Sequence, residues 1–214
     1  MLNAEDPHAG QPVLRRGPPP RDARLVMILA HGRGSSADDI LGLAREFNSR
    51  DVSYLAPHAA GHTWYPHTFL APVERNEPYL SSALRLLNTV VEQISREGVP
   101  RERIVLLGFS QGACLSLEFA ARHAHRYAGI AALSGGLIGP PGTPRSYRGS
   151  LDGTPVFLGC SDIDPHIPLE RVHEAADVFR QMGATVDERI YPRMGHTVND
   201  DEIAAVEKML QADA

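Results

Sequence analysis

Residues 25–30 read LVMILA, six apolar side chains in a row without a polar interruption. A strand of that composition has no face to offer water, so it belongs inside a sheet covered on both sides. Similar runs return at 52–56 (VSYLA), 104–108 (IVLLG), 128–133 (AGIAAL) and 155–160 (PVFLGC), while 185–191 (TVDERIY) alternates in part. Helical patterns fill the intervals at 36–48, 78–97, 111–124, 169–182 and 200–212. In 78–97, Leu80, Ala83, Leu84, Leu87, Val90, Val91 and Ile94 recur at steps of three and four, which makes one apolar face. Strands alternating with amphipathic helices build parallel βαβ units. QPVLRR near the start is a candidate antiparallel edge strand. The pattern predicts an α/β fold, a mostly parallel twisted sheet with helices on both faces. It is read as one domain over 1–214, with 1–23 an extended N-terminal segment. Ligands of such sheets sit outside the carboxyl ends of the strands.

Size and charge narrow the function. A chain of 214 residues buries enough surface to need no metal or disulfide staple. The net charge is −5, which argues against a nucleic-acid partner because phosphate binding needs clustered cations. Two cysteines, Cys114 and Cys160, are too few for a disulfide framework, so reduced thiols in the cytoplasm are expected. The apolar runs are too short to span a membrane. The opening MLNAEDPHAGQP lacks the basic and apolar regions of a signal peptide.

Chemistry concentrates at Gly108-Phe109-Ser110-Gln111-Gly112, where a strand pattern passes into a helix pattern. A Gly-x-Ser-x-Gly in that setting is a nucleophile elbow: a strained turn lifts the serine hydroxyl above the sheet, and glycines two residues away on each side prevent collision. The helix N-terminus beside it offers free N–H groups to a developing oxyanion. The plainer reading of Ser110 is a helix-capping residue. A nucleophilic serine also needs a base and a carboxylate that orients it, which follow in the order Asp, His in this type of fold. The loop after 155–160 carries Asp162 and Asp164, with Asp162 the alternative suited to a turn. The loop after 185–191 carries His196. For the oxyanion hole, the backbone N–H groups of Gln111 and of Arg33, in HGRGSS (31–36), are the candidates. His31 is read as bonding loop backbone.

These residues resemble the carboxylesterase/phospholipase family of small α/β-hydrolases, which includes the acyl-protein thioesterases. HGRG, GFSQG, DPHIP and the GH of RMGH stand in that family's order from about residue 24 onward. The resemblance implies an α/β-hydrolase fold with a minimal lid. It also implies a triad of Ser110, Asp164 and His196, an oxyanion hole at Arg33 and Gln111, and a homodimer. Arg33 stands where many members carry an apolar residue. Dienelactone hydrolases share the fold but use cysteine where this chain has Ser110.

The segment APHAAGHTWYPHTF (56–69) looks like the part that covers the acyl pocket in bacterial members, so Trp64, Tyr65, Phe69 and Leu70 are expected substrate-binding residues. Packing of these side chains onto the core is the alternative. His58, His62 and His67 in that segment match no metal-ligand spacing, and no metal or other cofactor is expected. With so little cover the pocket should be shallow. The expectation is a serine hydrolase acting on small-molecule esters with short to medium acyl chains. A thioesterase for acyl-proteins or acyl-CoA, or a lysophospholipase, uses the same machinery. A hydrolase-fold binding protein without catalysis is the remaining alternative.

Overall fold

The computed structural model describes residues 5–47 and 49–212. They form a seven-stranded sheet from β1 (Val13–Arg16), β2 (Leu25–Ala30), β3 (Val52–Pro57), β4 (Ile104–Phe109), β5 (Gly129–Leu133), β6 (Pro155–Ser161) and β7 (Thr185–Tyr191). Their order across the sheet is β1-β3-β2-β4-β5-β6-β7. All neighbours run parallel except β1, which pairs antiparallel with β3, Val13 opposite Pro57 and Arg16 opposite Tyr54.

Alternate residues of a strand face opposite sides, and this divides the apolar runs between two cores. Val26 and Ile28 of β2 join Leu106, Ile130 and Leu158 on one face. That face is covered by α2 (Tyr79–Arg96), α3 (Gln111–Arg122) and α4 (Leu169–Gln181). Leu25, Met27 and Leu29 join Val105, Leu107 and Phe157 on the other, under α1 (Ala37–Leu43) and α5 (Asp200–Gln211). The unbroken apolar strands are therefore buried on both sides, as the first reading of 25–30 required.

Two segments differ from the sequence expectation. The helix expected over 36–48 ends at Leu43, because the N–H groups of Arg45 and Glu46 reach carbonyls only three residues back. These tighter turns bring Phe47 into the core at 4 % exposure. Residues 5–12 are also more engaged than the extended segment expected over 1–23. His8 is fully buried, its backbone N–H bonded to Ser82 Oγ at 2.8 Å. No helix among the described residues is long and apolar enough to cross a membrane.

Candidate active site

Ser110 sits between β4 and α3 with φ +55° and ψ −119°, a conformation that side chains other than glycine rarely adopt. The turn closes only because of its glycines. A Cβ on Gly108 would run into the Gly112 carbonyl, and one on Gly112 into the Ala30 carbonyl at the end of β2. Such strain persists where surrounding structure enforces it. Here the Ser110 N–H donates to the Leu133 carbonyl at 2.9 Å, tying the turn to the end of β5.

The loops after β6 and β7 bring two more groups to the same rim. His196 Nε2 lies 2.8 Å from Ser110 Oγ, and His196 Nδ1 lies 2.7 Å from Asp164 Oδ2. The carboxylate only accepts, so Nδ1 carries the proton and Nε2 is left to accept from the serine hydroxyl. Asp164 has a fully buried side chain, and its Oδ1 accepts from the N–H groups of His166 and Ile167. Burial alone would raise its pKa. The hydrogen bond from His196 and those from the loop outweigh that and hold the carboxyl below its ordinary value. Asp162 is turned elsewhere, accepting from the Arg193 N–H at 2.6 Å.

The 31–36 loop flanks this row. A Cβ placed on Gly32 would meet the Phe109 ring at 3.3 Å and lie 3.6 Å from Ser110 Cβ, so the loop runs in contact with the serine turn. The backbone N–H groups of Arg33 and Gln111 have no acceptor among the described residues. His31 is fully buried. Its Nε2 accepts from the Ala59 N–H and its Nδ1–H donates to the Gly32 carbonyl, an arrangement open only to a neutral ring. Burial pushes its pKa down to about 4.

A cleft of about 480 Å³ opens over Ser110, with Tyr65, Phe69, Phe109 and Ile167 as apolar wall and His166 beside His196. Trp64 and Leu70, expected on this wall, are not part of it. Trp64 is fully buried with its indole N–H donating to the His31 carbonyl at 2.8 Å, and its ring lies between His8 and His31. An indole that buries its ring must also satisfy its N–H, and the partner it finds lies beneath the loop. Leu70 packs half-buried against the core. His58 Nδ1 accepts from the Ala37 N–H at the start of α1, and His62 Nδ1 bonds the Ser35 carbonyl.

The sequence reading missed one clamp. The Gln111 side chain accepts the Trp64 N–H at 2.9 Å and donates to the Tyr65 carbonyl at 2.8 Å. It holds the covering loop to the first turn of α3. No periodicity signals such a role, since the partners are 46 and 47 residues away.

The phospholipase/carboxylesterase family model matches residues 17–213. The chain belongs to the phospholipase/carboxylesterase family. Among solved structures it is similar to a phospholipase/carboxylesterase from Dyadobacter fermentans, 40% identical with a TM-score of 0.91, covering 94% of this chain and 97% of that one. It is 25% identical to acyl-protein thioesterase 1 of Debaryomyces hansenii, over 90% of this chain and 93% of the yeast protein. A carboxylesterase from Bacillus cereus, 19% identical with a TM-score of 0.73 over 94% of this chain and 93% of that one, shares the fold. The match to the phospholipase/carboxylesterase family model takes in every strand from β2 to β7 and the Gly108–Gly112 turn.

Proposed function

We propose that this protein hydrolyses carboxylic esters of short to medium acyl chains through a covalent acyl-enzyme on Ser110. The observation that carries the reading is the unbroken hydrogen-bond row from Asp164 through His196 to Ser110. His196 Nε2 takes the hydroxyl proton as Ser110 Oγ bonds to the ester carbonyl carbon. The carbonyl oxygen becomes an oxyanion, held by the N–H groups of Arg33 and Gln111. Its collapse expels the alcohol, which leaves with the proton from His196. Water then repeats the sequence, losing a proton to His196, and the acid departs as Ser110 regains its hydrogen. Asp164 stays ionised and fixes the imidazole tautomer.

Tyr65 and Phe69 form the wall against which the acyl chain rests in this reading. The open cleft above Ser110 supports short and medium chains: rates on p-nitrophenyl acetate, butyrate and octanoate should exceed those on palmitate. A thioester reaches the same oxyanion geometry, and the similarity to a yeast acyl-protein thioesterase favours keeping that second substrate class. Parallel kinetics on an ester and its thioester separate the two. The buried free thiols Cys114 and Cys160 suit a reducing cytoplasm. A homodimer, implied by the family, is read from sedimentation.

Ser110→Ala tests the assignment. The loss of the nucleophile from such a triad lowers turnover on the order of 10⁶-fold. The variant should fold, hydrolyse nothing measurable and resist labelling by a fluorophosphonate. Retention of wild-type activity would overturn the reading.

A further inference from the structure

The cleft wall contains one permanently charged side chain, Arg33, and no carboxylate among the described residues. Its guanidinium is held in a defined place. Nη1 donates to Thr63 Oγ1 at 3.1 Å and to the Pro66 carbonyl at 2.9 Å, Nη2 donates to the His67 carbonyl at 2.5 Å, and the group lies over the Tyr65 ring. These bonds use three of the five N–H donors that an arginine carries. Nε–H and the second Nη2–H have no partner among the described residues, and every partner the group does have is neutral.

A staple for the covering loop needs hydrogen-bond donors but no charge, and a neutral amide brings two of the three donors used here. A guanidinium adds a charge, and here that charge belongs to an exposed residue of the cleft wall and has no ionic partner among the described residues. Asp39 accepts from Ser35 Oγ, but only the serine is part of the wall. Because the guanidinium is already immobilised, an anion that meets its spare donors avoids most of the entropy loss of ordering a long side chain.

Resting on the esterase reading, we infer that Arg33 makes this a hydrolase for esters bearing an anionic group, a carboxylate on the acyl or the alcohol half, bound by the spare Nε–H and Nη2–H. The backbone of the same residue serves the oxyanion while its side chain selects the substrate. The charge acts on a distal group and leaves the bond-breaking steps as described.

Two matched pairs of esters test this. Monoethyl succinate against ethyl butyrate places the carboxylate on the acyl half, and the butyrate ester of glycolic acid against propyl butyrate places it on the alcohol half. In at least one pair, Arg33→Gln should lower the anionic-to-neutral ratio of kcat/KM by about tenfold, the size expected of a charge-assisted pair of hydrogen bonds. Arg33→Lys should restore part of it. A ratio unchanged in both pairs, including an equal loss on all four esters, would make Arg33 a loop staple only and overturn the inference. Should the variants fail to fold, the wild type decides. Raising the ionic strength to about 0.5 M should depress kcat/KM on the anionic member alone. An equal response of both members overturns the inference too. Failure of the wild type on all four esters would instead overturn the esterase reading, and this inference with it.

Discussion

The Gln111 side chain and the Trp64 backbone are joined at 2.9 Å, so the residue that follows Ser110 also pins the loop whose Tyr65 and Phe69 line the cleft. Two neighbouring donors face Oε1 and a carbonyl faces Nε2, which fixes the amide orientation. Gln111→Glu is nearly isosteric but sets a carboxylate oxygen against the Tyr65 carbonyl. It should cost about 1–3 kcal/mol of stability and lower kcat/KM, read together by urea unfolding and ester kinetics. Wild-type values for both would show the clamp to be dispensable.

Asp164→Asn should lower kcat about 10⁴-fold with the fold intact, because an amide can present its N–H to Nδ1 and reverse the tautomer. Asp162→Asn, in contact with the Arg193 N–H instead, should keep kcat within about tenfold of wild type. Equal losses in the two variants would contradict the assignment of roles.

Acid should weaken the protein through His31. Its folded pKa of about 4 lies below the ordinary 6.5, so the unfolded chain binds more protons between those values. The stability contributed by the neutral ring is complete above pH 6.5 and is lost as pH falls toward 4, about 3 kcal/mol in all. His8 acts in the same direction: burial lowers its pKa, and its Nδ1 accepts from the Ala60 N–H. Urea unfolding between pH 4 and 7 measures the slope, and His31→Gln should flatten it.

Glu202 works in the opposite direction. It closes the capping box of α5, accepting from the Asn199 N–H at 2.9 Å, and its buried carboxyl is pushed up to about 7 by desolvation. The folded protein therefore holds the proton between pH 4.5 and 7, and stability on this account is full below 4.5 and declines as pH rises through 7. Glu202→Gln keeps the cap without the titration. Its stability relative to wild type should rise by about 3 kcal/mol from pH 4.5 to 8. A constant difference across that range would remove Glu202 from the pH response.

Gly108→Ala should prevent the elbow from closing, since the added methyl meets the Gly112 carbonyl, which is backbone and has little room to move. A loss of about 3 kcal/mol or more, or insoluble expression, is expected. An unchanged melting temperature would mean that the turn can relax.

Much of this architecture was legible in the chain itself. Unbroken apolar runs such as 25–30, and the three-and-four spacing from Leu80 to Ile94, each report burial of their own segment, because backbone geometry turns short sequence periods into faces. The placing of Ser110 was equally local: glycine, serine and glycine two residues apart at a strand-to-helix change describe one turn. Other features had no local signature. Trp64 and Tyr65 are neighbours in one aromatic loop, yet one lies beneath it and the other lines the cleft, because the indole N–H met the His31 carbonyl 33 residues away. The Gln111 clamp, the buried His8 and the anchored guanidinium of Arg33 likewise depend on partners 30 to 74 residues distant. The sequence by itself determined which segments are strands and helices and where the strained turn falls, since those follow from neighbours along the chain. Only the tertiary structure decided which polar groups pair across the loops, because that choice belongs to surfaces that exist only once the sheet has formed.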